Sequence, residues 1–328
     1  MLALALFVLP LLRRADAVPP EGADPARAEK DLPFAADVAE FEAEFSLPLA
    51  ETIQSSSEEW FGRSSERLAD SGAIELGRLD SGERAYRTHC IGCHGTTGDG
   101  AGFAARYLAP RPRNFRKGTF KFTSTAAGAR PQRKDLFQTI TRGLAGSSMP
   151  EFSLLSEPLR WNLVEYVRYL AVRGEFEQMM LDLAWEEEEL PDAAEVAQIV
   201  LERWSPARLH SIHPGITESA ADAASVERGR LLFNDAARAS CASCHGPLGR
   251  GDGPTAGDYL DDWGYPIRPR DLASGVFRAG VEGADLYRTI SAGIKGTPMG
   301  SFEGALAPAD IWDLVHFVQS LSLPPSNE

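Results

Sequence analysis

The pattern C-x-x-C-H occurs twice in this chain, as Cys90-Ile91-Gly92-Cys93-His94 and as Cys241-Ala242-Ser243-Cys244-His245. No cysteine lies outside the two clusters, so none remains for a disulfide that would staple the chain elsewhere. The likeness extends well beyond the clusters, and a repeat of this size dictates the architecture. "GERAYRTHCIGCHGTTGDGAG" aligns with "RGRLLFNDAARASCASCHGPLGRGDGP", with a few extra residues before Cys241. "LAPRPRNFRKGTF" aligns with "YPIRPRDLASGVF", "DLFQTITRGLAGSSMPEF" with "DLYRTISAGIKGTPMGSF", and "RWNLVEYVRYL" with "IWDLVHFVQSL". Met149 stands 55 residues after His94, and Met299 stands 54 after His245.

The 328 residues therefore hold two copies of one unit, 76–173 and 225–328, each of ordinary domain size. Each copy reads as helical. A first helix bearing Gly82 and Tyr86 (Gly229 and Phe233) leads into the cluster. A middle helix over "RKDLFQTITRG" and "GADLYRTISAG" has apolar residues at helical spacing and stops at Gly143 or Gly293. A last helix carries Trp161, Val164, Tyr166 and Val167 (Trp312, Val315, Phe317 and Val318). Gly/Pro-rich loops separate them, and no run of alternating residues predicts a sheet. The expected fold class is all-α: two tandem helical domains joined by a partly helical linker.

Three segments lie outside the repeat. Leu2–Leu12 is an apolar run too short to span a bilayer, and Ala15-Asp16-Ala17 is a small-residue cleavage pattern. This predicts a signal peptide over 1–17 and an extracytoplasmic, periplasmic location. Arg13 and Arg14 follow the apolar run instead of preceding it, which leaves a truncated or disordered start as the alternative. No other segment is a membrane-span candidate. Residues 18–75 are acidic, with Phe34, Phe41, Phe45, Trp60 and Phe61, and predict one or two helices packed loosely or onto the first unit. In 174–224, Asp192 with Glu195 makes a capping-box-like start, and Val196, Ile199 and Val200 give one apolar face, predicting a helix that bridges the units. Glu186–Glu189 reads as a solvated face or as a dock for a basic partner. The net charge of -14 argues against a nucleic-acid binder.

Four chemistries compete for C-x-x-C-H. Zinc takes ligands in fours, and each cluster supplies at most three. A thioredoxin-type pair expects a βαβ setting, and none is present. A disulfide across two residues leaves the trailing histidine unexplained. Covalent haem c attachment explains all three residues. Two thiols add to the two vinyl groups of one porphyrin edge, and one helical turn places the next side chain under the iron. On this reading Cys90 and Cys93, and Cys241 and Cys244, are the thioether cysteines, and His94 and His245 are the proximal ligands of two covalently bound haem c groups.

On these motifs each unit resembles a class I cytochrome c domain, and the chain resembles a bacterial di-haem cytochrome c over about two thirds of its length. The resemblance implies that Gly82 and Tyr86 cross the last helix near Tyr166, and Gly229 and Phe233 cross near Phe317. It implies Met149 and Met299, in Gly-rich loops after a helix, as the distal iron ligands, with the high potentials that a thioether favours. In the second unit Gly300 replaces the proline that follows Met149, a difference expected to loosen that loop. The repeated "RPR" implies Pro112 and Pro269 as carbonyl acceptors for the proximal imidazoles, with Pro110 as a further candidate. Arg113 and Arg270 would donate to haem propionates.

Other residues carry weaker expectations. His89, His210, His213 and His316 read as exposed, with His213 a ligand only if a methionine were displaced. Ten Lys and Arg residues between Arg106 and Arg142, opposed only by Asp135, either steer an acidic redox partner or bury propionates. The expected role is single-electron transfer between a redox-protein donor and acceptor. A peroxidase-like di-haem enzyme, or a cytochrome subunit of a larger respiratory or molybdenum-enzyme complex with possible membrane association, are the alternatives.

Overall fold

The computed structural model describes residues 34–206, 211–212 and 216–322. The expected signal over 1–17, and His210 and His213, lie outside the described residues. The first repeat contains α4 (Leu79–His89), α5 (Ile91–His94), α6 (Arg133–Arg142) and α7 (Glu157–Glu187). The second contains α9 (Ala223–Asn234), α10 (Cys241–His245), α11 (Gly283–Ala292) and α12 (Pro308–Ser320). The sheet is a two-residue antiparallel pair, β1 (Tyr259–Leu260) with β2 (Pro266–Ile267), so the fold is all-α as expected.

In each repeat the helix before the cluster crosses the last helix at a glycine. A Cβ on Gly82 would collide with the Asn162 carbonyl, and one on Gly229 with the Asp313 carbonyl. The missing side chain lets the backbones meet. The aromatics one turn on then close the crossing, Tyr86 on Tyr166 and Phe233 on Phe317, each with ring centroids 5.2 Å apart. Tyr86 also donates a 2.8 Å hydrogen bond to the Gly95 carbonyl, just past the first cluster. The middle helices stop at Gly143 (φ 63°) and Gly293 (φ 70°), again as expected.

The flanking segments differ from expectation in their packing. The N-terminal stretch forms α1 (Ala35–Phe45), α2 (Leu49–Phe61) and α3 (Glu66–Asp70), and buries Phe41, Leu49, Ile53, Phe61 and Leu68 in the core of the first repeat. Helix α7 does not end at 173 but continues to Glu187, offering a second surface for these helices. Helix α8 (Ala193–Trp204) starts at Asp192, whose carboxylate accepts from the backbone N–H groups of Ala194 and Glu195. It folds back onto α2 and α7 instead of bridging the repeats, burying Val196, Val200 and Trp204. Glu186–Glu189 are exposed.

Five of the ten basic residues are paired with carboxylates of the protein itself. Arg116 pairs with Glu177, Arg130 with Glu175, and Arg133 with Glu165. Arg142 reaches Asp285 at 3.2 Å and Lys121 reaches Asp261 at 3.3 Å, both in the second repeat. Half of the cluster thus stitches α7 to the loops and one repeat to the other, which leaves less of its charge free than the run of basic residues suggests. His316 is also corrected. It is 1% exposed, with Nδ1 2.6 Å from the Ser225 hydroxyl, and its counterpart Glu165 is buried too, against Arg133. Both faces are covered because the chain preceding each first helix wraps over them, through Glu75 onto Glu165 and through Glu218 toward His316.

Gly82→Ala and Gly229→Ala should each lower stability by roughly 1–3 kcal/mol in denaturant unfolding, the usual cost of overpacking; an unchanged midpoint would contradict the crossing. Burial alone would raise the Glu177 carboxyl, but the charges of Arg116 and Arg173 overcome it and hold its pKa below the usual range. A depressed folded pKa contributes stability above the unfolded value that is lost as pH falls through the folded one. Glu177→Gln should therefore weaken the protein most at neutral pH and flatten its acid-unfolding curve.

Candidate functional site

The first cluster sits on one turn of helix. Cys90 ends α4, and Cys93 and His94 lie in α5. Glycine hydrogen bonds wrap the chain around this turn: Gly100 N–H donates to the His94 carbonyl and Gly102 N–H to the Cys93 carbonyl. The second cluster has the same wrap, from Gly251 to His245 and from Gly253 to Cys244. The extra residues before Cys241 form a loop that ends at Ser240 in the left-handed region (φ 48°), so α9 and α10 are separate helices.

Cys90, Cys93, His94 and Met149 line one cleft, walled by Phe115, Phe120, Leu136, Ile140 and Val167. The walls are mostly apolar, as in sites that take a large apolar ligand. All four cysteines are free. Burial pushes the Cys90 thiol up to about 12, with the charge of Cys93 adding to it, and burial pushes Cys241 to about 11. These are neutral thiols, the opposite of the depressed values that activate redox cysteines.

The imidazole of His94 stacks on Phe115 at 4.5 Å. Its Nδ1 lies 3.1 Å from the Arg113 carbonyl, and Nδ1 of His245 lies 3.1 Å from the Arg270 carbonyl. A carbonyl only accepts, so Nδ1 carries the proton and Nε2 keeps its lone pair for a metal. Burial holds both imidazoles below the usual histidine range, against the opposing effect of these hydrogen bonds, so both stay neutral. The acceptor is one residue beyond the expected prolines. The Pro112 and Pro269 carbonyls instead lie against Gly100 and Gly251, and the next peptide is the one turned to the ring. Pro110, the third proline considered, lines the cleft.

The methionine loops are superimposable in their bonding. Met149 C=O accepts from Leu144 N–H at 3.1 Å, and Met299 C=O accepts from Ile294 N–H at 2.9 Å. The hydroxyls of Ser147 and Thr297 each accept from the following methionine N–H at 3.2 Å and donate to the Leu144 or Ile294 carbonyl. Replacing Pro150 by Gly300 removes none of these bonds, so the expected loosening has no counterpart in the hydrogen bonding. His89 is exposed beside the first cleft, as expected.

The side chains of Arg113 and Arg270 cross between the repeats. The guanidinium of Arg113 lies 3.3 Å above the centre of the Trp263 ring, and Trp263 in turn covers Gly296 in the Met299 loop. Arg270 donates from Nε to the Val276 carbonyl, and its terminal nitrogens lie against Gly146 in the Met149 loop. Sequence patterns carry no signal for these contacts, because nothing in either repeat alone records what faces it across the seam. The residues present fit covalent haem: paired free cysteines, an imidazole with a free Nε2, and, in the first repeat, an apolar cleft lined by the methionine loop.

Gly143→Ala would place a Cβ 2.7 Å from the Met149 carbonyl, at a positive φ. Gly128 (φ 80°) has nothing within 4 Å of that position. Gly128→Ala should cost only backbone strain, on the order of 1 kcal/mol. Gly143→Ala should add roughly 1–3 kcal/mol of overpacking and disturb the absorption of the first site. Equal unfolding midpoints for the two variants would contradict the packing described.

Residues 226–322 match the cytochrome c family, and residues 77–167 match the family described as cytochrome C oxidase, cbb3-type, subunit III. Comparison with curated proteins finds no match. Among solved structures, a chain of the Kuenenia stuttgartiensis reducing HAO-like protein complex is 31% identical, with a TM-score of 0.60. The alignment covers 74% of this chain and 96% of that one. Among the described residues no helix is long and apolar enough to cross a membrane. The chain therefore belongs to the cytochrome c family, as a tandem of two all-α cytochrome c domains that bind haem c covalently and serve electron transport.

Proposed function

We propose that the protein is an extracytoplasmic di-haem cytochrome that carries single electrons between a donor and an acceptor protein. The observation that carries this reading is the duplicated constellation of two free cysteines, a carbonyl-anchored imidazole and a serine- or threonine-braced methionine loop. On this reading Cys90, Cys93, Cys241 and Cys244 hold two haem groups as thioethers. His94 and His245 present Nε2, and Met149 and Met299 present their sulfurs, as axial ligands. The haem supplies reversible one-electron chemistry at iron.

The chain's own part is orientation and exclusion. The Arg113 and Arg270 carbonyls fix each ring and its tautomer. The loop hydrogen bonds fix the backbone of each methionine, so each sulfur would be held in place toward a bound iron. The apolar walls exclude water. The matched methionine loops of the two domains, each of which would supply a ligand, favour a carrier over a peroxidase-like enzyme.

The Kuenenia neighbour belongs to a protein complex, and this supports the narrower reading that the present chain works as a cytochrome subunit within a larger redox assembly. The expected periplasmic location follows from the signal-like N-terminus and from the chemistry of haem attachment.

The intact protein should carry two covalent haems by mass. Met149→His and Met299→His should each lower one of two reduction potentials, since a second imidazole favours ferric iron, and each should remove one thioether-to-ferric-iron absorption band. A mass short of two haems, or potentials indifferent to both changes, would refute the assignment.

A further inference from the structure

The cleft of the first domain is not closed by that domain alone. Arg278, from the second domain, lines it together with Arg113 and Lys121 of the first. Arg113 is covered by Trp263 and attracted by Asp261 and Asp262, and Lys121 is paired with Asp261. Among the described residues Arg278 has no such partner. Its Nε is buried without a hydrogen bond. Burial first, and the charge of Arg270 second, hold its guanidinium below the usual arginine range, with no carboxylate to offset them. Leaving a desolvated cation uncompensated is costly unless something else completes the site. The apolar walls of the cleft do not offer an anion.

Haem c carries two propionate carboxylates on the edge opposite its thioether bonds. We propose that Arg278 binds a propionate of the first domain's haem in trans, so that the second domain completes the first domain's haem site. The proposal rests on the reading of this cleft as a haem site. A guanidinium suits the task because its planar fork matches a carboxylate and its charge is permanent. Arg278 thereby differs from the sequence-derived candidates Arg113 and Arg270, whose guanidinium groups lie on Trp263 and beside Gly146. A cation held at the carboxylate in a water-poor cleft also favours the reduced iron, because reduction removes one positive charge beside it.

The test is redox titration of the haem-loaded protein by absorption, with Met149→His in a parallel background to mark the first domain's wave. Arg278→Gln should move the first domain's reduction equilibrium roughly tenfold toward ferric, about 59 mV for one electron, and leave the second wave in place. Arg278→Lys, which keeps the charge, should restore most of the shift. Arg238→Gln, which removes an exposed cation paired with Asp310 in the second domain, should move neither wave. Two covalent haems by mass in every variant keep the haem reading separate: wild type without haem refutes that reading, whereas haem-loaded Arg278→Gln with an unmoved first wave overturns this proposal. An equal fall of both waves overturns it too. Where Arg278→Gln does not accumulate as folded protein, the propionate bending band of Arg278→Lys in resonance Raman decides. A shifted band supports the contact, and an unmoved band overturns it.

Discussion

Everything in each domain is hung on one close approach, the glycine of the pre-cluster helix against a carbonyl of the last helix. Gly82 on Asn162 and Gly229 on Asp313 bring two backbones within a distance that no side chain permits. Because α4 runs directly into its cluster and α9 reaches its own through a short loop, this crossing places the thiols and imidazoles. Because α7 and α12 carry the aromatics that close it, the same crossing positions the wall behind the rings. The middle helix and its methionine loop then cover the open side. The glycine stops at 143 and 293 let the loop return over the helix end, where Met149 and Met299 bond back to Leu144 and Ile294.

On that common frame the two domains are elaborated differently. The first extends its last helix to Glu187 and lays α1, α2, α3 and α8 on it, so a single apolar core runs from Val38 to Trp204. This enlarged core contains buried charge: Arg168 is fully buried and donates to the carbonyls of Ala73 and Pro131, and Glu175 accepts from Arg130, Arg203 and Trp204. Such charges are tolerated because each is paired or hydrogen-bonded on several sides. The second domain keeps a smaller core around Trp312, Val315 and Phe317 and buries a shorter polar chain, Asp313 to Ser225 to His316.

What was legible in the sequence is what repeats locally. Helix periodicity, the glycine stops, the clusters and the matched methionines are all set by residues within a turn or two of one another, and the duplication made each readable twice. Charge partnership was not legible. Arg116 finds Glu177, Arg130 finds Glu175 and Lys121 finds Asp261 across long stretches of chain, so the sequence alone offered an acidic redox partner or haem propionates as the counter-charge and not these carboxylates. His316 looked exposed because the segment that covers it lies before α9, outside its own helix. The acceptor for each imidazole was off by one residue. The "RPR" pattern marks the loop but not which of its peptides turns inward, a choice made by the glycine contact at Gly100 and Gly251.

The seam between the domains has a logic of its own. Arg113 gives its carbonyl to His94 and lays its side chain on Trp263, which rests on the Met299 loop. Arg270 gives its carbonyl to His245 and lays its side chain against the Met149 loop. In each case one residue joins the proximal side of one cleft to the distal loop of the other. Lys295, from the second domain, donates to Thr125 and to the Ala129 carbonyl of the first, and burial lowers its pKa to about 8. Desolvated polar contacts of this kind are geometrically exacting, because a partner displaced by an ångström leaves a buried charge unsatisfied. The two domains are therefore joined by directional contacts across the seam.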